Sequence, residues 1–594
     1  MIIADSARKQ QRDLQWVVDT CMGSAKTRKE LYERRRQYFL FGTASDAEII
    51  YNRIESHLDL VASFLYSSDH AQFALSAELN AGDVQVRQYL AAQDSFNNDF
   101  RDANLFDKFG DAIIGALVYD SMIAKVGWSD VHEEPTCSLI LPWQFGVFSE
   151  ELGDLGEQQA FVHTYHIDYD QACQRLIRAG LADRIKDLNV VNTPFESPFP
   201  ELITRMIISS TSGENLSGNV TGSVNPSYIA RPSYRAEVDR PLVAFRELWV
   251  WDDDAQQGHG DYRIFFMMDN EIILSDSKKT IAALQKAGGF AAQREQMRQF
   301  YNTDTNLFFP REHPFVQVCP YPVYEYFWGK AHIDSLIPLQ MWSNERLDQI
   351  HDILERQAYP PRVMSGFLGL TDEKAEAFGG ADSWVVDQLP QASVNELHPQ
   401  MPPDIFADYA QIGALFMEAS GLTDILMGKG APGVRSKGQA KEAASTGSGR
   451  IKKAATRLEE PLVRMGDLVF KLNMRNNDDP IIPDPQEGGR PGDPFYYHNM
   501  VSDYTLRVAG HSHSPLFADD TKELSAFLYK AQAIDKEALL RLLNPPNRDN
   551  LIHALRARER RAAIAQAVRA QTPGGGLPPT GKARRRANGS QAQA

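Results

Sequence analysis

Two spacings of apolar residues divide this chain into segments. From residue 10 to about 125 the period is that of a helix: Leu14, Val17, Val18, Cys21 and Met22 share one face, as do Ile49, Ile50, Ile54, Leu58, Val61 and Leu65. The dense run over 111–126 predicts a buried helix ended by Gly127. The spacing then shortens, and residues 137–142, 145–148 and 159–166 predict short strands. Residues 243–251 and 262–268 alternate as an antiparallel pair, with Asp269-Asn270 turning the second into residues 271–274. The stretch 209–223, rich in Ser, Thr, Gly and Asn, predicts a loop.

From His332 the helical period returns for about 25 residues, about 37 Å of helix. Leu336, Leu339, Leu347, Ile350 and Leu354 form its stripe, and Pro360-Pro361 follows its end. The amides of Gln340 and Asn344 interrupt that stripe, which suits a helix packed against copies of itself better than one in a dry core. An insert follows: a strand at 362–364, a small helix at 372–378, a strand at 383–386, then Pro399, Pro402 and Pro403. A second helix over 404–419 runs to Gly421. After the glycine-rich stretch 428–438 a long helix is expected over 439–474, a strand at 504–508 and a small helical unit over 519–570, broken at Pro545-Pro546. Beyond Ala570 large apolar residues are too scarce to build a core, which predicts a flexible tail. No internal repeat is evident.

Composition narrows the function more by exclusion than by suggestion. With 594 residues, 43% apolar and 24% charged, the chain reads as about three to five globular packing units. The net charge is −16, unlike that of a protein that coats nucleic acid. It is uneven: residues 551–594 carry eight net positive charges, which leaves −24 on residues 1–550. Cys21, Cys137, Cys173 and Cys319 lie far apart without a CxxC pair, so neither a disulfide scaffold nor a zinc ribbon is expected. The apolar N-terminal run is cut by Asp5, and the most apolar stretch, 112–119, is under half a membrane span, so no signal peptide and no membrane partner are expected.

Catalytic patterns are looked for and not found. Counting five on from Gly428 gives Gly433, but Val434 and Arg435 stand where a phosphate loop needs Lys and Ser or Thr. The bland reading of 428–438 is a glycine joint; the functional one is a mobile basic loop carrying Lys429, Arg435, Lys437 and Lys441. Asp252, Asp253 and Asp254 share one hairpin turn with no His or Glu beside them, and read as solvated. The pairs His163/His166 and His511/His513 lack a third metal ligand. No GxSxG elbow and no HExxH helix occurs. The expectation is no enzyme, no catalytic residue, no metal and no cofactor.

Three strings, and the order of the elements around them, resemble the portal proteins of tailed bacteriophages. One is Tyr326-Phe-Trp-Gly-Lys-Ala-His-Ile-Asp-Ser-Leu-Ile-Pro-Leu-Gln-Met-Trp-Ser-Asn-Glu-Arg-Leu-Asp, similar to that family's entry into its first stem helix. Another is Ala419-Ser-Gly-Leu-Thr-Asp-Ile-Leu-Met-Gly with the following Arg435-Ser-Lys-Gly-Gln-Ala, similar to its passage from second stem helix to tunnel loop. The third runs from Gly110 and Gly115 through 139–148, like its wing. The likeness spans about residues 40–515.

The resemblance implies an α+β subunit. Its wing would be residues 1–330 and 475–517, its stem 331–357 and 404–420, and its clip 358–403. A tunnel loop and long helix would occupy 421–474, a helical crown 518–570 and a basic tail 571–594. It further implies a homo-oligomeric ring, twelve subunits in known portals, at one capsid vertex of the virion, assembled in the host cytoplasm. Double-stranded DNA would pass through it without sequence specificity during packaging and ejection. The partners implied are the terminase large subunit, the major capsid and scaffolding proteins, and neck or tail adaptors. Lys429, Arg435, Lys437 and Lys441 would then face the DNA channel. Phe367, Asp372, Glu373 and Glu376 would dock motor and neck, and Leu336, Gln340, Asn344, Leu347, Ile350 and Leu354 would pack the stem. Another oligomeric head–tail connector or collar protein is the alternative, sharing the absence of catalytic chemistry.

Overall fold

A computed structural model of the chain describes residues 7–43, 50–77, 83–129, 131–194, 239–253, 260–269, 272–279, 312–358, 360, 362–365, 384–386, 393–396, 400–422, 449–477, 479–482, 494–497, 500, 504–508, 514, 518–543, 551–552, 554–559 and 561–562. Helix and sheet are mixed throughout, an α+β arrangement. Contacts divide the chain into two units, Met1–Leu516 and Phe517–Ala594.

The first unit begins with α1 (Ala7–Met22), α2 (Ala25–Phe41) and α3 (Arg53–Leu65). The side chain of Asn52 caps α3 by accepting from the Glu55 amide, and Ile54, Leu58, Val61 and Leu65 are its buried face. β1 (Phe73–Ala77), α4 (Asp83–Asp102) and α5 (Leu105–Tyr119) follow. The helix expected over 111–126 therefore stops at Tyr119. Asp120 breaks it at φ 91°, and β2 (Met122–Ser129) begins, with Gly127 inside the strand opposite Thr136. Seven consecutive residues of β2 are buried, and a strand covered on both faces shows no alternation to separate it from a helix. β3 (Glu134–Ile140) pairs with β2.

Next comes an antiparallel sheet of β4 (Phe145–Val147), β5 (Ala160–Asp168), β6 (Val191–Pro194), β7 (Asp239–Asp252), β8 (Asp261–Met268) and β9 (Ile272–Asp276), with α6 (Tyr169–Arg178) after β5. The order is β4-β5-β7-β8-β9, β6 pairing with β7 as well, and the expected β7–β8 hairpin is present with Trp249 opposite Ile264. Alternation divides the two faces. Phe161, Phe245, Trp249 and Ile264 join the main core, whereas Val162, Leu248, Val250 and Phe265 meet Leu14, Val17, Val18 and Cys21 of α1. The N-terminal helix thus roofs a sheet that would otherwise show an apolar face to water. β10 (Phe315–Val318) pairs with β2.

The remaining elements of this unit are α7 (Ile337–Ala358), β11 (Arg362–Ser365), β12 (Trp384–Val386), β13 (Ser393–Glu396), α8 (Ile405–Ser420), α9 (Gly449–Asn476) and β14 (Tyr504–Val508). The insert between the two helices is a sheet of order β12-β11-β13, parallel then antiparallel. Its third strand, at 393–396, is additional to the two strands expected from the sequence, and the helix expected at 372–378 lies outside the described residues. β14 pairs with β1, which ties the far end of the unit to its start. α9 is the central helix: Ile451, Ala455, Leu458, Leu462, Met465, Val469 and Leu472 are buried against α3, β2, β10 and β14. Gly466 is needed there because a Cβ would lie 2.6 Å from the Phe73 ring.

The second unit contains α10 (Ala518–Lys530) and α11 (Lys536–Leu543), with Glu537 paired to Arg556. No described helix is long and apolar enough to cross a membrane.

Candidate assembly site: the helical hairpin and its root

α7, the small sheet and α8 form a hairpin, and the sequence along α7 explains why its two halves differ. At its root Leu336 is buried, and so are Gln340 one turn further on and Ser343 and Asn344 about two turns on. Leu347 and Ile350 are half-buried, and Leu354 is 50% exposed. On the partner helix Ile405, Ile412 and Phe416 are buried while Phe406 is 56% exposed. Arg346 Nε donates to Asp408 Oδ2 at 2.5 Å, which joins the two helices.

The amides that interrupt the stripe are satisfied inside the subunit. Gln340 Oε1 accepts from the Arg53 amide at 3.0 Å, and its Nε2 donates to Tyr51 O at 2.9 Å and Asn344 Oδ1 at 2.8 Å. Asn344 Nδ2 donates to Gly42 O at 2.9 Å. The two amides thus bond the backbone that links α2 to α3, and their place in the stripe does not by itself call for a second chain. Leu336 belongs to the same root. Of the six stem residues named from the sequence, Leu347, Ile350 and Leu354 are the ones that α7 leaves partly bare.

Charged and aromatic groups surround this root. Arg53 lies over the rings of Tyr409 and Phe416, at 4.6 and 5.9 Å. Arg35 holds both carboxylate oxygens of Asp334, in the turn before α7, at 2.8 and 2.6 Å, and reaches Asp120 at 3.1 Å. The Tyr32 hydroxyl also donates to Asp120. Burial pushes the Asp120 carboxyl up, against the pull of Arg35 and Tyr32. Gly421 ends α8 in the left-handed region, φ 74°, where a side chain would be strained, and Arg450 at the start of α9 donates to Ala419 O.

His332 is buried beside these groups and stacked on Tyr321, and among the described residues neither ring nitrogen has a hydrogen-bond partner. Burial, with Arg450, His57 and Lys330 nearby, lowers it to about 4. The native state thus keeps it neutral while the unfolded chain takes up a proton below about pH 6.5. His332→Phe, which keeps a ring on Tyr321, is expected to gain stability relative to wild type as pH falls from about 6.5 to about 4, by about 1.4 kcal/mol per unit, and to gain nothing above 7. Urea midpoints at pH 7.5 and 5 test this; equal differences at the two values would contradict it.

Other residues singled out from the sequence fall elsewhere. Lys429, Arg435, Lys437 and Lys441, the clip residues Phe367, Asp372, Glu373 and Glu376, and His511 and His513 lie outside the described residues. Asp252 pairs with Lys278, and Asp253 accepts from the Trp251 indole. His163 packs beside the buried Glu247. Among the described residues no group of three His, Cys, Asp or Glu is placed to hold a metal ion. Sequence reasoning missed Arg35, Asp120 and Asp334, whose chain separation leaves no local pattern to find.

No protein-family model matches the chain, and no curated protein does.

Proposed function

We propose that this chain is the subunit of a viral portal, a closed ring of identical copies through which double-stranded DNA enters and leaves a capsid. The observation that carries the reading is the hairpin: rooted by buried polar contacts at one end, tipped by a small sheet, and followed by a glycine-capped joint to a long core helix. Its outer half keeps the apolar side chains of Leu354 and Phe406 exposed. Copies related by rotation would cover them, and a head-to-tail contact that closes makes a ring.

Charge agrees with such a channel. With −24 on residues 1–550, the body of the ring would repel phosphates, and a duplex slides more readily where few phosphates are neutralised. The basic residues Lys429, Arg435, Lys437 and Lys441 would supply transient contacts. The sheet between α7 and α8 would dock the terminase motor during filling and neck or tail adaptors afterwards. Capsid and scaffolding proteins would meet the body at the vertex.

The test is a pair of charge substitutions on the exposed stem. Leu354→Glu with Phe406→Glu is expected to leave subunit stability within about 0.5 kcal/mol of wild type, because both side chains are already half in water. Self-association, read by sedimentation velocity, is expected to weaken at least tenfold. An unchanged assembly state would count against the stem as the contact between copies.

A further inference from the structure

We propose that Arg35 and Asp334 form a clamp that sets the angle at which the hairpin leaves the body, so that breaking it loosens the hairpin without unfolding either part. The use of that angle in closing a ring rests on the portal reading above.

The root of α7 lacks a continuous apolar seat. After Leu336 its buried residues are Gln340, Ser343 and Asn344, and the bonds of Gln340 and Asn344 to the backbone at Tyr51, Arg53 and Gly42 attach the helix through polar contacts. Among these the guanidinium of Arg35 is the most constraining. It is buried on α2, and it grips Asp334 with Nε and Nη2 together, while Nη1 holds Asp120 and Tyr119 O. A two-pronged grip of this kind fixes orientation in the plane as well as distance. Asp334 lies in the turn Ile333–Ser335, and the next bonds, Leu336 N to Ile333 O and Gln340 N to Leu336 O, carry its orientation straight into the helix.

The other end of the clamp is equally fixed. Asp120 sits at φ 91°, a backbone state that persists where its surroundings over-determine it. Here Arg35, Tyr32 and the bond from its own amide to Ala116 O do so. Buried ion pairs add little net stability against an apolar alternative, and their best-attested use is to select one geometry. A clamp between the N-terminal helix pair and the stem entry has that character.

The experiment measures the angle directly. Spin labels at Leu354→Cys on the exposed stem and Val131→Cys on the exposed β2–β3 turn report one stem-to-body distance, with Cys173 and Cys319 replaced by alanine and labelled chains diluted in unlabelled protein. Wild type is expected to give one narrow distribution. Arg35→Lys, which keeps the charge and loses the fork, and Asp334→Asn are each expected to broaden it at least twofold, with α7 still helical. Asp334 is about one-third exposed, so Asp334→Asn decides the matter where Arg35→Lys fails to fold. A distribution as narrow in Asp334→Asn as in wild type would overturn the clamp. Electron micrographs of the same proteins separate the two claims. Rings in wild type with open or mixed assemblies in Asp334→Asn support both. A compact dimer or tetramer without a channel in wild type removes the portal reading, while the distances still decide the clamp.

Discussion

Lys125→Met is expected to lower the unfolding free energy by about 3–5 kcal/mol, among the largest single effects in this chain. The carboxylate of Glu247 is fully buried in the middle of β7, where it accepts from Lys125 Nζ at 2.7 Å and from the Trp249 indole at 2.9 Å. Burial alone would push it up, but Lys125 and His163 hold it at about 2. Removing the ammonium leaves a carboxylate in the core between two sheets without its cation, with the Trp249 indole and His163 as the groups still beside it. Methionine nearly matches the lysine stem in length, so the loss reports charge and not volume. The double variant Lys125→Met, Glu247→Gln is expected to recover more than half of the deficit.

The pH dependence of this pair has a definite sign. In wild type the folded carboxyl titrates below its unfolded range, so its contribution is present above about pH 4.5 and is lost as pH falls toward 2. In Lys125→Met the folded carboxyl moves above that range, so the variant's deficit grows as pH rises from about 5 to 8. Chemical denaturation at both values measures this. A deficit that does not change with pH would mean that the ammonium acts through packing alone.

Gln340→Leu is expected to cost about 2–4 kcal/mol, although leucine is the residue that continues the apolar stripe of α7. Gln340 is wholly buried, and its removal strands the Arg53 amide and Tyr51 carbonyl, at about 1–3 kcal/mol each. The loss is local. Hydrogen exchange is expected to quicken over 50–53 and 337–344, with α9 left as protected as in wild type. Leu354→Gln at the exposed end provides the contrast, with an expected change within about 0.5 kcal/mol. Similar costs at the two positions would contradict the division of α7 into a seated root and a bare outer half.

That division also shows how far the sequence could be read. Alternation revealed β5, β7 and β8, because each places apolar side chains at every second residue toward one of two cores. Helical stripes revealed α3, α8 and the described part of α9. β2 was hidden because both of its faces are covered, and Asp120 marks the break only through its backbone angle. The pairing of β1 with β14 joins residues more than four hundred positions apart, which no local pattern encodes. Gln340 and Asn344 stand out in the sequence because they interrupt an apolar stripe, where an amide must bond to something. Their partners proved to be the backbone at Gly42, Tyr51 and Arg53, and only the folded chain brings those groups to α7.

The reading of the whole molecule turns on what the bare half of the hairpin meets. The most direct measurement is the mass of the purified full-length protein by light scattering on a sizing column, with electron micrographs of the same fraction. A portal subunit is expected to give a particle near twelve times 66.7 kDa, with rotational symmetry and a central opening wide enough for duplex DNA. A compact dimer or tetramer without a channel would contradict it.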